Sequence, residues 1–121
     1  MVVDGMYELR SREEFIRAVK GNEVVFIEYY VPGDRDSENL SAALKNLEEG
    51  ADPRILFCRV NVAEHSWLPE SWRRAPCVEV YYMGERVFEH YGSLSTVDLN
   101  LQALRRGVRS VFRGLNVNLR V

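Results

Sequence analysis

Cysteine is scarce in this 121-residue chain, which contains two, Cys58 and Cys77. Two thiols are too few for a disulfide scaffold or for a zinc site with four cysteine ligands. His65 and His90 stand at no spacing from them that is typical of a metal site, so we expect neither a metal nor another cofactor. Any redox chemistry must therefore depend on one of the two thiols.

Long apolar runs and an excess of positive charge are also missing. The longest apolar runs, residues 24–27 and 55–58, are far shorter than the ~20 residues of a membrane helix, and residues 1–5 do not resemble a signal peptide. Sixteen basic and eighteen acidic residues give a net charge of −2, which does not favour binding to nucleic acid. We therefore expect a cytoplasmic protein that binds neither membranes nor nucleic acids.

Heat-labile glutamine is rare, since Gln occurs once. Fourteen of the sixteen basic residues are Arg, and thirteen of the eighteen acidic residues are Glu. This balance favours ion-pair networks and is compatible with a thermophilic source, although a GC-rich genome would also supply Arg codons. Charge is uneven as well: residues 105–121 hold five arginines and no acid, which leaves −7 on the other residues.

Hydrophobic periodicity predicts alternating strands and helices. The helix between the second and third strands makes those two strands parallel. The last two strands form an antiparallel hairpin around Gly84 and Glu85. Residues 63–75 are irregular, with at most a short helix, and residues 116–121 alternate as an extra edge strand would. The predicted strands cover residues 7–9, 24–31, 55–62, 77–83 and 86–91, and the predicted helices cover residues 11–20, 36–49 and 96–114.

The predicted order β-α-β-α-β-(α)-β-β-α indicates an α/β fold with a central mixed β-sheet flanked by helices. No repeat, low-complexity tract or linker divides the sequence. We therefore expect one domain over residues 1–121, with its core at about residues 6–113 and a C-terminal extension at residues 114–121.

Three segments in this order resemble the thioredoxin family over about residues 6–113. They are Val-Phe-Ile-Glu-Tyr-Tyr at residues 25–30, the isolated Ala75-Pro76 before a strand, and Tyr91-Gly92-Ser93 after the hairpin. The resemblance implies a thioredoxin-like fold. It lies in the pattern and spacing of these segments more than in sequence identity.

The family's strand-to-helix turn carries Trp-Cys-Gly-Pro-Cys, whose first cysteine attacks disulfides. Here residues 33–37 fall at that turn, with Asp34 and Ser37 at the two cysteine positions. Dithiol exchange needs an attacking thiolate and a resolving thiol, and a carboxylate and a hydroxyl are neither. The resemblance therefore implies a member without the Cys-x-x-Cys motif and without its reductase activity.

The polar residues near this turn could have structural roles and not functional ones. Asp34, Asp36 and Ser37 are suited to capping a helix, and we favour that role over binding a ligand. Glu28 falls where the family has a buried carboxylate that transfers protons to the inner cysteine. With no such cysteine, we favour a structural carboxylate with a raised pKa, bonded to Arg59 or to a tyrosine hydroxyl.

A peptide-binding groove is the second feature that the resemblance implies. In the family, a proline equivalent to Pro76 follows a cis peptide bond, and the residue before it offers backbone N–H and C=O groups to an extended peptide. The alternative is an ordinary trans proline at the start of an edge strand. Such a groove would survive the loss of the dithiol. Its residues would be Gly33, Asp34, Arg35, Ser37, Ala75, Pro76, Tyr91, Gly92 and Ser93.

Three functional hypotheses follow. The first is a redox-inactive module that binds a protein or peptide partner or takes part in assembly. The second makes Cys77 a monothiol nucleophile, although a cysteine at the start of a strand is more often an inert core residue. The third is a homodimer that pairs through residues 116–121.

Overall fold

The computed structural model describes residues 2–3, 6–65, 67–68 and 75–121. The part of the predicted irregular stretch that covers residues 66 and 69–74 therefore lies outside the described residues. Strands and helices follow the predicted order, with one two-residue strand added at the start. The elements are β1 (Val2–Val3), β2 (Met6–Glu8), α1 (Arg12–Gly21), β3 (Val24–Tyr30), α2 (Arg35–Glu49), β4 (Ile55–Asn61), β5 (Cys77–Tyr82), β6 (Glu85–Tyr91) and α3 (Val97–Gly114).

The six strands form one mixed sheet in the order β1-β2-β4-β3-β5-β6. The pairs β2–β4 and β3–β4 are parallel, while β1–β2, β3–β5 and β5–β6 are antiparallel. The parallel β3–β4 pair and the β5–β6 hairpin confirm the predicted arrangement. Because β3 lies inside the sheet and helices cover both faces, its residues 24–29 are all buried.

Alternate side chains of β3 point into two apolar cores, one on each side of the sheet. Val24 and Phe26 pack with α2 and α3, where Leu40, Leu44 and Leu104 are fully buried. On the opposite side, Val25, Ile27 and Tyr29 pack with Phe15, Ala18 and Val19 of α1. This double coverage explains why β3 is apolar on both faces.

Hydroxyl side chains cap two of the helices. Ser11 accepts a hydrogen bond of 3.1 Å from the Glu14 backbone N–H at the start of α1. Thr96 accepts a bond of 3.1 Å from the Leu99 N–H at the start of α3. None of the helices within the described ranges is long and apolar enough to cross a membrane.

The hairpin turn lies one residue earlier than predicted. Its two central residues are Met83 and Gly84, with φ angles of 52° and 85°, and Glu85 already belongs to β6. Two successive positive φ angles match the right-handed twist of the flanking strands. The sequence gives little signal for a turn at Met83, because a residue other than glycine rarely adopts a positive φ.

The predicted edge strand at residues 116–121 is wrong. Asn116 has a φ of 59°, and the chain then runs back along its own domain without strand pairing. Val121 is 7% exposed, and Val117 and Leu119 pack partly buried against the core shared by α2 and α3. The alternating apolar residues therefore cover the chain's own core.

Polar contacts also fix this C-terminal segment. The Asp52 N–H donates to the Arg120 carbonyl at 2.8 Å, and the Arg54 guanidinium donates to the Asn118 carbonyl. Arg54 is itself paired with Asp52 at 3.0 Å. The loop before β4 thus holds the segment in place.

Candidate functional site

The predicted groove segments meet at one edge of the sheet, where β3 ends and β5 begins. Tyr29 of β3 pairs with Cys77 of β5, and Cys77 pairs with Tyr91 of β6. The turn after β3, Ala75–Pro76 before β5 and Gly92 after β6 therefore lie along this edge. We call it the carboxyl edge, because the parallel strands β3 and β4 both end there.

The turn after β3 is closed by hydrogen bonds from Asp34 and Ser37. Gly33 has a φ of 80°, and Asp34 then caps α2 by accepting a bond of 3.0 Å from the Ser37 N–H. The Ser37 hydroxyl, 2% exposed, accepts a bond of 3.0 Å from the Val31 N–H. Both side chains accept hydrogen bonds from the backbone: Asp34 has the favoured role of capping α2, whereas Ser37 bonds to the turn before the helix.

Pro76 and Gly92 bind each other across the carboxyl edge. The Ala75–Pro76 peptide bond is cis, and the Gly92 N–H donates to the Pro76 carbonyl at 2.8 Å. Gly92 has a φ of 77°, a conformation that favours glycine. Ala75 and Pro76 are half-buried, whereas Tyr91 is 53% exposed.

Helix α3 anchors the loop that follows Gly92. The buried Asn100 amide donates to the Ser93 hydroxyl at 2.9 Å and accepts a bond of 2.8 Å from the Leu94 N–H. This part of the predicted groove is therefore attached to the start of a well-packed helix.

Both thiols are buried in the sheet and are free. Cys77 is 4% exposed and Cys58 is fully buried. Desolvation raises the pKa of each thiol to about 12, and nearby Glu79 adds to the effect at Cys77. Since β3 lies between the strands that carry them, the two cysteines do not meet.

Glu28 is a fully buried carboxylate, as the sequence predicted. It accepts a hydrogen bond from the Ser41 hydroxyl of α2, and its Oε1 lies 3.5 Å from Nε of Arg59 on the neighbouring strand. Burial raises the pKa of Glu28, and the bond from Ser41 and the charge of Arg59 oppose that rise. Desolvation is the larger effect, so the carboxyl takes up a proton more readily than an exposed glutamate.

Arg59 joins Glu28 to a second carboxylate, that of Glu8. The Arg59 guanidinium lies over the Tyr30 ring, 3.8 Å from its centre, and its Nε is 3.9 Å from Oε2 of Glu8. The Tyr30 hydroxyl donates to Oε1 of Glu8 at 2.6 Å. One guanidinium thus serves two carboxylates, and this also favours protonation of the more deeply buried Glu28.

A second buried carboxylate, Glu79, was not predicted. It is 4% exposed and accepts hydrogen bonds from the Tyr29 hydroxyl at 2.8 Å and the Tyr81 hydroxyl at 3.2 Å. Nη1 of Arg86, across the hairpin, lies 2.9 Å from it. This cluster lies on the α1 side of the sheet, whereas Glu28 lies on the α2 side. The sequence signal was an acid within the otherwise uncharged strand β5, with one arginine on the paired strand.

Several solved structures share this architecture at low sequence identity. A single-residue mutant of thioredoxin from Halobacterium salinarum is 19% identical with a TM-score of 0.67, covering 86% of this chain and 91% of that chain. Oxidized mitochondrial thioredoxin 3 from Saccharomyces cerevisiae is 18% identical with a TM-score of 0.72, covering 87% and 94%. Thioredoxin from Trypanosoma brucei brucei is 15% identical with a TM-score of 0.70, covering 89% and 91%. The chain has the thioredoxin fold.

This result confirms the predicted α/β class and the resemblance in fold. The sequence matches no protein-family model and no curated protein. The likeness to thioredoxins is therefore one of architecture, and function has to be argued from the residues at the site. Among the described side chains, no three His, Cys, Asp or Glu residues converge on a position that could hold a metal ion.

Proposed function

We propose that this protein is a redox-inactive thioredoxin-fold protein that binds an extended segment of a protein partner at the carboxyl edge. The observation that carries the proposal is the cap of α2. Asp34 and Ser37 occupy the turn where thioredoxins act on disulfides, and both side chains are hydrogen-bonded to the backbone. The fold therefore has a helix-capping carboxylate and a backbone-bonded hydroxyl at the two positions where thioredoxins have cysteines.

The chemistry of the remaining thiols supports the redox-inactive part. A thiol must be ionised and accessible to attack a disulfide. With a pKa raised to about 12 and 4% exposure, Cys77 is almost entirely protonated and covered near neutral pH. The Cys58 thiol is fully buried, and its pKa is also raised to about 12. These observations do not favour the alternative in which Cys77 acts as a monothiol nucleophile.

The peptide-binding part is supported by the backbone at Ala75. Within the described part of the chain, no residue forms a hydrogen bond with the Ala75 backbone, whereas Pro76 beyond it is held by Gly92. An extended segment can pair with such backbone groups as an added strand does. Tyr91, 53% exposed on the neighbouring strand, offers an aromatic surface for one of its side chains.

A peptide titration tests this proposal. Linear peptides selected against the immobilised protein from a displayed random library are added to isotope-labelled protein, and amide shifts are followed by NMR. We expect shifts at Ala75, Gly92 and Asp34, and a loss of affinity of about fivefold or more in Tyr91→Ser. Met83→Ser is the matched control, because Met83 is 67% exposed at the opposite end of the same hairpin.

A selection in which no peptide shifts Ala75, Gly92 and Asp34 would refute a binding site at the carboxyl edge. Peptides that shift these residues but bind Tyr91→Ser as tightly as the unmodified protein would refute the role of Tyr91 in that site. Homodimerisation through residues 116–121 gains no support from the structure, because Val117, Leu119 and Val121 are used within the chain.

A further inference from the structure

Helix α3 carries a continuous arginine face on its outer side. Leu104, Val108 and Phe112 of α3 are buried in the core, whereas Arg106, Arg109 and Arg113 are exposed. The outward side chains form a shallow depression of about 490 Å³. It is lined by Gln102, Arg105, Arg106, Arg109, Ser110 and Arg113, which we call the arginine face.

Most of the charge on this face has no partner. Within the described part of the chain, no carboxylate lies within 4.0 Å of Arg105, Arg106 or Arg113, whereas Arg54, Arg59 and Arg86 are all paired with acids. Nε of Arg105 is buried, and no described residue accepts a hydrogen bond from it. Arg109 donates to the Val121 carbonyl, with its Nε at 3.2 Å. The sequence holds no acid from residue 99 to residue 121.

A second depression, of about 390 Å³, adjoins the arginine face and shares Arg109 and Arg113 with it. It lies between the end of α3 and the C-terminal segment, where Val117 and Leu119 are partly buried and Leu115 is 43% exposed. The side-chain amides of Asn116 and Asn118 also line this depression. Its full lining is Arg109, Phe112, Arg113, Asn116, Val117, Asn118 and Leu119.

We propose that the arginine face and this adjoining depression dock an acidic amphipathic segment of a partner protein. Carboxylates of the segment pair with Arg105, Arg106 and Arg113, since guanidinium groups bind carboxylates with two parallel hydrogen bonds. An apolar side chain of the segment enters the depression beside Val117 and Leu119. This surface is separate from the carboxyl edge, and the inference does not depend on the proposed function.

Charge and shape favour an acidic peptide over a nucleic acid. From Arg105 to Arg113 the helix rises only ~12 Å, which matches a short acidic segment. The residues outside 105–121 carry a net charge of −7, and they repel a long polyanion that extends past the face. Phe112 is the aromatic residue in the lining, and at 1% exposure it offers no ring for a base to stack on.

Fluorescence anisotropy with a defined probe tests the inference. The probe is a labelled synthetic helical peptide of alternating Glu and Leu pairs, titrated with the intact protein at low salt. Triple reversal of Arg105, Arg106 and Arg113 to Glu leaves Arg109 and its bond to Val121 in place. We expect this variant to bind about tenfold more weakly or worse, and binding to weaken as salt rises.

Two controls isolate the arginine face. Reversal of Arg10, Arg12 and Arg17 to Glu changes the net charge equally but alters exposed residues beside or on α1, which covers the opposite side of the sheet. We expect this variant to bind the probe to within about twofold of the unmodified protein. A probe with Ser in place of Leu is expected to bind more weakly, because it has nothing to place in the apolar depression. Thermal unfolding of each variant verifies that the fold is retained.

Three results would overturn the inference. The first is no measurable binding of the probe, or an equal loss in both triple variants. The second is an oligothymidylate that binds the unmodified protein as tightly as the probe and loses affinity on reversal of the arginine face. The third is a dimer of the unmodified protein in low salt that the same reversal dissociates, since a second copy would then occupy the face.

Discussion

The carboxylate of Glu28 and the guanidinium of Arg59, side by side on neighbouring strands, are 3.5 Å apart at the buried carboxyl end of the sheet. Glu28 is fully buried, and the charge of Arg59 is shared with Glu8. Desolvation therefore outweighs attraction, and the pKa of Glu28 is raised. Glu28 thus accepts a hydrogen bond from Ser41 and lies beside the guanidinium of Arg59.

This pair predicts a pH-dependent stability. A raised pKa in the folded state means that the protonated carboxyl stabilises the fold fully below the ordinary glutamate pKa of 4.5. That contribution is lost as the pH rises through the raised pKa. Glu28→Gln stays neutral, so its free energy of unfolding should fall less than that of the unmodified protein between about pH 4 and about pH 8.

Urea unfolding at several pH values measures this difference. Glu38→Gln, which changes an exposed side chain in the first turn of α2, is the matched control and should follow the unmodified protein. Parallel pH profiles for Glu28→Gln and the unmodified protein would contradict the raised pKa.

The sequence predicted the fold well because the spacing of apolar residues is regular over the long strands and helices. The runs of apolar residues at β3 and β4, and the repeat of leucines along α2, each favour one structure strongly. The C-terminal segment was mispredicted because the same alternation fits a strand and a chain that covers its own core. Val121 shows the difference, since its burial depends on contacts with residues distant in sequence.

The candidate site could be predicted only in part. The cap at Asp34 could be predicted because capping is a local interaction with a known spacing, whereas the bond of the Ser37 hydroxyl to Val31 could not. Arg59 is one of the two partners expected for Glu28 and lies 3.5 Å from it, but the hydroxyl that bonds to Glu28 belongs to Ser41 and not to a tyrosine. Glu79 was missed because its partners Tyr29 and Arg86 come from two other strands, and their register is fixed only in the assembled sheet.

The α2 cap gives a second prediction. Asp34→Ala removes the acceptor of the Ser37 N–H and should lower the free energy of unfolding by about 1 kcal/mol. Asp36→Ala removes an exposed acid from the same first turn without removing the cap, and should cost less than about 0.5 kcal/mol. Chemical denaturation of both variants measures the two values. Equal losses would mean that only the charge at the helix start matters.

A third prediction concerns Gly107 and Phe88. A Cβ at residue 107 would lie 2.4 Å from Cε1 of Phe88, whereas one at Gly114 would meet nothing within 4 Å. Alanine improves helix propensity by ~1 kcal/mol, but overpacking costs ~1–3 kcal/mol. Gly107→Ala should therefore destabilise the protein by about 1 kcal/mol, and Gly114→Ala should leave it equal or more stable.

Thermal unfolding compares these variants, and the double variant Gly107→Ala with Phe88→Leu should recover part of the loss. If Gly107→Ala were as stable as Gly114→Ala, the packing of β6 on α3 would be looser than described.

The buried thiols give a fourth prediction. At pH 7, Cys77 and Cys58 should react with iodoacetamide on the order of 100-fold more slowly than an exposed cysteine, because burial raises the pKa of both. Met83→Cys supplies that exposed thiol within the same protein. Mass spectrometry of digested samples follows each site, and all thiols should react quickly in urea. Labelling of Cys77 in the folded protein as fast as the thiol introduced by Met83→Cys would restore the monothiol hypothesis.

Dithiothreitol-driven reduction of insulin disulfides tests the absence of redox catalysis most directly. Asp34 and Ser37 hold the α2 cap where a dithiol would act, so the unmodified protein should reduce insulin no faster than dithiothreitol alone. The double variant Asp34→Cys with Ser37→Cys restores two thiols at that turn and should exceed this background. Catalysis by the unmodified protein at the rate of the double variant would contradict the account.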